Sequence, residues 1–199
     1  MRLKSITAAL IPIFAVLLAD QVTKIWVKTH MALHESIRVT DWFYILFTEN
    51  RGMAFGMELV DKYLLTGFRV VAVVWLSWYL YRLLRRGENI GYVICISLIT
   101  AGAIGNIIDC VFYGVIFNAP DPPYVAHFTE WGYGYDVLLR GRVVDMLYFP
   151  LVSWHWPEWF PFWAGQKFVF FSPVFNIADS AITCGVMALI AFYHERFQR

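Results

Sequence analysis

Runs of apolar residues long enough to cross a bilayer constrain this chain more than any other feature. A helix that spans the hydrocarbon core needs about 20 consecutive, mostly apolar residues. With 59% hydrophobic and 16% charged residues in a chain of 199, a disordered protein is excluded. We therefore predict a single integral membrane domain over residues 1–199. Its expected spans comprise residues 6–27, 63–84, 90–117 and 174–193.

The first apolar segment has two interpretations. Its core, Ile6–Ala19, follows two basic residues, an arrangement that is also typical of a cleavable secretory signal. The apolar pattern continues from Val22 to Val27 at helical spacing, with polar residues on one face. This continuation favours a span that is retained in the protein.

Basic residues predict the orientation of the four spans. Arg82, Arg85 and Arg86 lie between the second and third spans, and further basic residues flank both chain ends. Under the positive-inside rule these clusters lie in the cytoplasm. Both termini are then cytoplasmic, and two loops, residues 28–61 and 118–173, face outward.

The two outward loops differ in composition. In the first, residues 36–40 and 42–47 are rich in β-branched and aromatic side chains, which predicts a small sheet. The second carries six Trp and Phe residues between positions 154 and 163, and such rings favour the headgroup level of a bilayer. The predicted fold class is an all-α membrane protein with four transmembrane helices, a small extracytoplasmic β-rich subdomain and an aromatic-rich second extracytoplasmic loop.

Ionisable and amide side chains within or beside the apolar spans are costly there, which makes them functional candidates. By the predicted topology they all lie near the outward ends of the spans or in the second outward loop. These residues are Asp20, Lys24, Asn106, Asp109, Asp145, Asn176 and Asp179. Their convergence on one membrane face predicts a single polar site.

Most of these residues form pairs that share a helix face, so each Asn is expected to brace the carboxylate of its own pair. The pairs are Asp20 with Lys24, Asn106 with Asp109, and Asn176 with Asp179. For the first pair, a structural ion pair near the interface is an equally good interpretation. For the second pair, the alternative is close helix packing beside Gly102 and Gly105.

Asp145 and Asp179 are harder to explain as structural residues. Apart from Arg142, no cation lies within four residues of either carboxylate. Two neighbouring carboxyl groups share one proton, so that one acts as a base toward water while its protonated partner donates to a carbonyl oxygen. We therefore hypothesise amide hydrolysis by an aspartic dyad that needs no metal and no cofactor.

Signatures of other activities are absent from the sequence. His34-Glu35 and His194-Glu195 lack the second His of a zinc-protease helix, and there is no G-x-S-x-G or phosphate-binding loop. The three cysteines are widely spaced, which indicates neither a zinc site nor a disulfide framework. A net charge of +1 gives no indication of a nucleic-acid partner.

Five ordered motifs resemble those of the bacterial lipoprotein signal peptidases (signal peptidase II). They are DQVTK at 20–24, NRGMAFG at 50–56, GAIGNIID at 102–109, VVDM at 143–146 and FNIADS at 175–180. The resemblance implies a four-span aspartic protease of the bacterial cytoplasmic (inner) membrane, with Asp145 and Asp179 as the catalytic pair near the outer face. It also implies that the residues around this pair are Asp20, Lys24, Asn50, Gly52, Asn106, Asp109 and Asn176.

The resemblance also implies a substrate, although this chain differs from the family pattern in two places. The substrate is a prolipoprotein whose Cys carries diacylglycerol, cut on the N-terminal side of that Cys; membrane lipid is the other expected contact, with no obligate protein partner. Family members commonly have Arg directly after the third-span Asp, where this chain has Cys110, and Arg140 or Arg142 is a candidate replacement. Residues 111–142 and 147–172 also form longer segments than the family usually carries.

Two other functions remain as alternatives. A small proton-coupled transporter or channel subunit would use the carboxylates as a proton relay. A relay has to cross the membrane, whereas these carboxylates cluster at one side, which favours hydrolysis. A non-catalytic membrane scaffold is the third alternative, and it predicts that the aspartates are dispensable.

Overall fold

Four long apolar helices form the framework of the protein. A computed structural model describes residues 3–50 and 61–197 of the chain. By length and hydropathy all four helices are able to cross a bilayer, so the prediction of four long apolar helices is confirmed. The helices are α1 (Leu3–His30), α2 (Lys62–Arg86), α3 (Ile90–Ile108) and α5 (Ile177–Tyr193). Shorter helical pieces are a π-helical turn (Asp109–Tyr113), α4 (Gly114–Ile116) and a 3₁₀ turn (His194–Phe197).

The connection between α2 and α3 is a three-residue hinge with a cap on each side. α2 ends at Arg86 and is capped by Gly87, which adopts a left-handed conformation with φ of 69° and donates its N–H to the Leu83 carbonyl. α3 begins after Asn89, whose side chain accepts hydrogen bonds from the N–H groups of Gly91 and Tyr92. The two helices are thereby held next to each other.

α3 is the central helix, in contact with α1, α2 and α5. A Cβ atom on Gly102 would collide with the carbonyl oxygen of Ala178 in α5, and one on Gly105 would lie 2.8 Å from a carboxylate oxygen of Asp20 in α1. Close packing along this face therefore requires glycine, as the helix-packing alternative predicted. The same close approach brings polar residues of α1 and α5 next to α3.

The far end of α1 is packed into the fold. Val27 and Met31 are buried in an apolar cluster with Phe47, Tyr113 and Val144. The end of α1 is therefore part of the apolar core beside the sheet. That the first span is retained in the protein stays a prediction.

Strands from two distant parts of the chain form one antiparallel sheet. In the order of their pairing they are β1 (Ser36–Arg38), β2 (Tyr44–Asn50), β3 (Val143–Tyr148) and β6 (Val174–Phe175). β1 and β2 confirm the small sheet predicted from the first loop, while β3 and β6 were not predicted. The second strand pair places Thr48 of β2 opposite Asp145 of β3.

The fourth long helix begins later than residue 174, where the sequence predicted its start. Val174 and Phe175 instead form β6 and pair with Tyr148 and Leu147 of β3. Asn176 then caps α5. The apolar pattern extended the predicted span because a short apolar strand directly precedes the helix.

The segment between β3 and β6 contains a separate two-stranded hairpin, β4 (Val152–His155) paired with β5 (Lys167–Phe170). It contains the aromatic residues noted in the sequence. Nearly all of its strand residues are exposed.

Candidate active site

A buried lysine joins α1 to the end of α3. Lys24 Nζ lies 2.9 Å from Asp20 Oδ2 and 2.9 Å from Asp109 Oδ2, and all three side chains are fully buried. The predicted ion pair between Asp20 and Lys24 is confirmed. Asp109 is a second partner of the same ammonium group, so these three predicted site residues form one charged cluster.

Gln21 and Tyr113 complete this cluster, although neither was among the predicted site residues. Gln21 Nε2 lies 3.1 Å from both Asp20 Oδ2 and Asp109 Oδ1, and 3.2 Å from the Gly105 carbonyl. The Tyr113 hydroxyl donates to Gln21 Oε1 over 3.2 Å. Both residues lie close in sequence to a predicted aspartate, and Gln21 lies within the first motif.

The two fully buried carboxylates also bind the backbone of other elements. Asp20 Oδ1 accepts a hydrogen bond from the N–H of Ala178 in α5 over 2.9 Å. Asp109 Oδ2 accepts one from the N–H of Val144 in β3 over 3.2 Å. Each donor directly precedes one of the two candidate catalytic aspartates, so the buried cluster holds the backbone at both positions.

Two asparagines connect the cluster to the candidate dyad. Asn106 Nδ2 donates to Asp179 Oδ1 and Asn176 Nδ2 donates to Asp145 Oδ1, each over 2.7 Å. Asn106 Oδ1 accepts from Lys24 Nζ over 3.0 Å and from Asn176 Nδ2 over 3.1 Å. An unbroken chain of polar contacts therefore runs from the buried lysine to both carboxyl groups.

The sequence predicted that each Asn braces the carboxylate of its own pair, and for Asn106 this prediction is wrong. The Asn106 side chain contacts Asp179 of α5 and not Asp109, which lies three residues further along at the start of the π-helical turn. The prediction used helical spacing alone, while the close packing of α3 against α5 puts a nearer carboxylate in front of this amide.

The start of α5 fixes the position of Asp179. Asn176 Oδ1 accepts from the N–H of Asp179 over 2.9 Å, and the Asp179 carboxylate accepts from the N–H of Asn176 over 3.4 Å. This reciprocal capping box places Asp179 in the first helical turn. The predicted pairing of these two residues is confirmed, and it is made through the backbone.

The electrostatic environment of Asp145 favours its protonated form. The side chain is 4% exposed. Burial, followed by the nearby carboxylate of Asp179, raises the pKa of Asp145 to about 7. A carboxyl group that holds a proton near neutrality beside a second carboxylate is the arrangement expected of a pair that shares one proton.

A second charged network, missed in the sequence, lies beside the first. Lys28, one turn beyond Lys24, is buried and pairs with Glu49 of β2, and Arg142 Nη1 lies 3.0 Å from the other Glu49 oxygen. Lys28 Nζ is also 5.0 Å from the ring centre of Tyr135. This network links α1 to β2 and to the start of β3. The sequence feature that could have identified this network is the position of Lys28, four residues after Lys24 and on the same helix face.

Cys110 contacts an arginine that the sequence did not identify. Arg69 Nη1 of α2 lies 3.0 Å from Cys110 Sγ. Of the two predicted replacements, Arg140 pairs with Asp136 over 3.3 Å, and Arg142 belongs to the network with Glu49. Arg69 therefore brings a cation next to the Cys110 side chain. The replacement of the family's arginine by Arg140 or Arg142 stays a prediction.

Two further predicted residues come from the NRGMAFG motif. Asn50 is the last residue of β2 and pairs with Val143, two residues before Asp145. Gly52 lies outside the described residues, so its predicted place around the site stays a prediction.

The helices and the polar site define a multi-pass membrane protein with a carboxylate-rich site at one end of its bundle. The family described as "Signal peptidase (SPase) II" matches residues 12–194. The chain belongs to this signal peptidase II family and is therefore a membrane protease. The family predicted from the five sequence motifs is confirmed.

Individual relatives agree with this assignment. The chain is 50% identical to "Lipoprotein signal peptidase" of Porphyromonas gingivalis over 189 residues, which cover 94% of this chain and 82% of that protein. It is 38% identical to the protein of the same name from Amoebophilus asiaticus, over 86% of this chain and 71% of that protein. A solved structure described as a "bacterial membrane enzyme" superposes with a TM-score of 0.61 and 25% identity, covering 92% of this chain and 90% of the other.

Proposed function

We propose that this protease removes the signal peptide of prolipoproteins by aspartic catalysis, with Asp145 and Asp179 as the dyad. The substrate class is supported by the family match and by relatives named lipoprotein signal peptidase. The catalytic type is supported above all by one observation: two carboxyl groups from separate elements are joined through the hydrogen-bonded pair Asn106 and Asn176.

The environments of the two carboxyl groups suggest their roles. Asp145 is the better proton donor, because its pKa is raised to about 7. Asp179, which is partly exposed, then takes a proton from water, and the water oxygen attacks the scissile carbonyl carbon. Asp145 gives its proton to the carbonyl oxygen. When the C–N bond breaks, the proton held by Asp179 passes to the departing amine. One hydroxyl of the tetrahedral intermediate returns its proton to Asp145, so the products are a carboxyl group and a free amine and the dyad regains its starting state.

The buried residues around the dyad act as positioning residues in this proposal. Asp20 and Asp109 hold the backbone at Ala178 and Val144, and Lys24 holds both carboxylates together. A positioned dyad lowers the barrier because little reorganisation remains at the moment of reaction. Among the other predicted residues, Asn106 and Asn176 contact the dyad directly, whereas Asn50 is assigned to the site by its position on β2 next to β3.

The proposed orientation places the site near the outer face of the bacterial inner membrane, with both termini in the cytoplasm. Two buried apolar clusters mark the two ends of the bundle. One includes Ala9, Leu84 and Tyr92 beside the arginine-rich hinge, and the other includes Met31 and Phe47 beside the sheet. The positive-inside rule assigns the hinge end to the cytoplasm, so the sheet and the site lie at the outer side.

The same arrangement weighs against a proton relay. The buried charged side chains in residues 3–50 and 61–197 all lie at the sheet end of the bundle. They are Asp20, Lys24, Lys28, Glu49, Asp109 and Asp145. A relay needs titratable groups along the whole crossing, so the transporter alternative is not favoured.

Cleavage by the purified, lipid-reconstituted protein tests the proposal. Asp145→Asn and Asp179→Asn should each lower the rate by about 10³-fold or more, because an amide neither accepts the proton of water nor shares one with its partner. Asp121→Asn, the same change at an exposed aspartate, is the matched control and should leave the rate unchanged. Near-normal activity of either dyad variant would reject the dyad.

The substrate part of the proposal has its own comparison. A prolipoprotein with a diacylglyceryl-Cys should be cut on the N-terminal side of that Cys, while the unlipidated peptide should be cut far more slowly. Each CH₂ held in the bilayer contributes about 0.8 kcal/mol to keeping a substrate at this depth. Equal cleavage of both substrates would reject the requirement for lipidation and leave the aspartic mechanism standing.

A further inference from the structure

The β4–β5 hairpin leaves the sheet between the two elements that carry the candidate dyad. β3 ends at Tyr148, which pairs with Val174 of β6, so the hairpin begins and ends at adjacent strands. Only one residue, Asn176, separates β6 from α5, which is long and apolar enough to cross a bilayer. The hairpin therefore emerges at the level where a membrane-spanning helix begins.

The strand register makes the hairpin amphipathic. Successive side chains of a strand point to opposite faces, and directly paired residues share a face. One face is entirely apolar, and the other carries a hydroxyl, an imidazole and an ammonium group beside one valine. The apolar face consists of Val152, Trp154, Phe168 and Phe170, and the opposite face of Ser153, His155, Lys167 and Val169.

Aromatic rings beyond the strands extend the apolar face toward the tip. The ring of Trp156 lies 6.1 Å from that of Phe168 and stacks on Phe160 at 4.6 Å and on Trp163 at 5.7 Å. At the tip, Trp159 and Phe162 are each 78% exposed. Clustered exposed rings of this kind mark a surface that binds a partner or a membrane.

A row of aromatic rings, two pairs stacked and one pair edge to face, connects the hairpin base to the main sheet. The ring centres of Phe43 and Phe149 are 4.7 Å apart, those of Phe149 and Phe175 are 5.6 Å apart, and those of Phe171 and Phe175 are 6.0 Å apart. Phe175 immediately precedes the Asn176 cap of α5. Aromatic side chains therefore extend from the base of the hairpin to the residue before the cap of a membrane-spanning helix.

We propose that the apolar face of the β4–β5 hairpin docks into the headgroup region of the bilayer at the sheet end of the bundle. Tryptophan and phenylalanine with an opposite polar face are typical of elements that lie in a membrane interface. The lipid is already the neighbour of α5, and the polar face presents Lys167 to water and lipid headgroups. This contact holds β3 and the start of α5 at a fixed depth.

Spin labels on two adjacent residues of β4 test the docking. Val152→Cys and Ser153→Cys lie on opposite faces of one strand, and both positions are exposed. The background carries Cys184→Ala, because Cys184 is the exposed cysteine among Cys95, Cys110 and Cys184. The labelled full-length protein is reconstituted into phosphatidylethanolamine–phosphatidylglycerol vesicles. Collision rates with oxygen, which concentrates in lipid, and with a water-soluble nickel chelate are then measured.

The proposal expects an oxygen-to-chelate collision ratio several-fold higher at residue 152 than at residue 153. A label at Phe162→Cys tests the aromatic tip of the hairpin, and its collision ratio should match that of residue 152. Equal ratios on the two faces would overturn the proposal. If the spectrum of the label at residue 152 shows spin–spin broadening that disappears on dilution with unlabelled protein, a second copy of the chain covers the apolar face. If the label is protected from the chelate only after prolipoprotein is added, the substrate covers it. Either result overturns lipid docking. None of these measurements depends on cleavage, so they are independent of the proposed function.

Discussion

Replacing the buried lysine with an apolar residue of similar size gives the sharpest test of the polar cluster. Lys24 neutralises part of the charge of Asp20 and Asp109, and no side chain of the three reaches solvent. In Lys24→Met the two carboxylates keep their backbone and Gln21 hydrogen bonds but lose the cation between them. Removing one partner of a buried ion pair costs about 3–5 kcal/mol, a large fraction of the stability of a typical domain.

This cost translates into a measurable change in thermal stability. For a chain of this size, 1 kcal/mol corresponds to about 2–4 °C in Tm, so Lys24→Met should lower Tm by about 6–20 °C. A thiol-reactive fluorescent dye reports unfolding in detergent, because Cys95 and Cys110 are buried, and Cys184→Ala removes the exposed thiol.

A double variant distinguishes uncompensated charge from simple loss of packing. Asp109→Asn in the Lys24→Met background removes one of the two like charges and keeps an oxygen that accepts the Val144 N–H. The double variant should therefore be more stable than Lys24→Met alone, although Asp109→Asn by itself destabilises the wild-type protein. A double variant whose Tm falls by the sum of the two single effects would refute the electrostatic reasoning.

Three further predictions concern pH, metal and topology. Because the pKa of Asp145 is raised to about 7, its protonated form is lost as pH rises through 7, and the cleavage rate should fall above that pH. The raised pKa also lowers wild-type stability at every pH above the pKa that Asp145 has in the unfolded chain. Asp145→Asn should therefore raise Tm relative to wild type at pH 8 but not at pH 4. Cleavage should survive exhaustive chelation, since no group of three or more His, Cys, Asp or Glu residues in the described ranges is placed to hold a metal ion, and inhibition reversed by added zinc would contradict this. Reporter fusions after Arg86 should read as cytoplasmic and fusions at Tyr133 as external; the reverse pattern would invert the orientation.

The membrane framework and the members of the site are readable from the sequence for the same physical reason. Apolar runs of span length have few alternatives to a membrane helix, and ionisable groups in such runs are too costly to be incidental. Asp20, Lys24 and Asp109 stood out on this ground, and the structure joins them in one cluster.

The partners of these residues were not readable, because they depend on contacts between elements distant in sequence. The crossed bracing of Asn106 with Asp179 needs α3 and α5 side by side, and spacing along one helix carries no such information. Likewise β3 is buried along most of its length and lacks the alternation that identifies a half-exposed strand. The sequence therefore identified the apolar residues around Asp145 but did not predict that they form a strand.

The helix that carries Asp179 offsets part of the excess negative charge in the site. Asp20 and Asp109 share a single lysine, and the dyad adds at least one further negative charge. The first N–H groups of a helix lack internal partners and carry positive potential. In α5, the N–H of Ala178 donates to Asp20, and the N–H of Asp179 donates to the Asn176 cap that also binds Asp145. The N-terminus of α5 thus offsets charge that Lys24 alone does not neutralise. It does so at the position where a carboxylate has to remain ionised to act as the base.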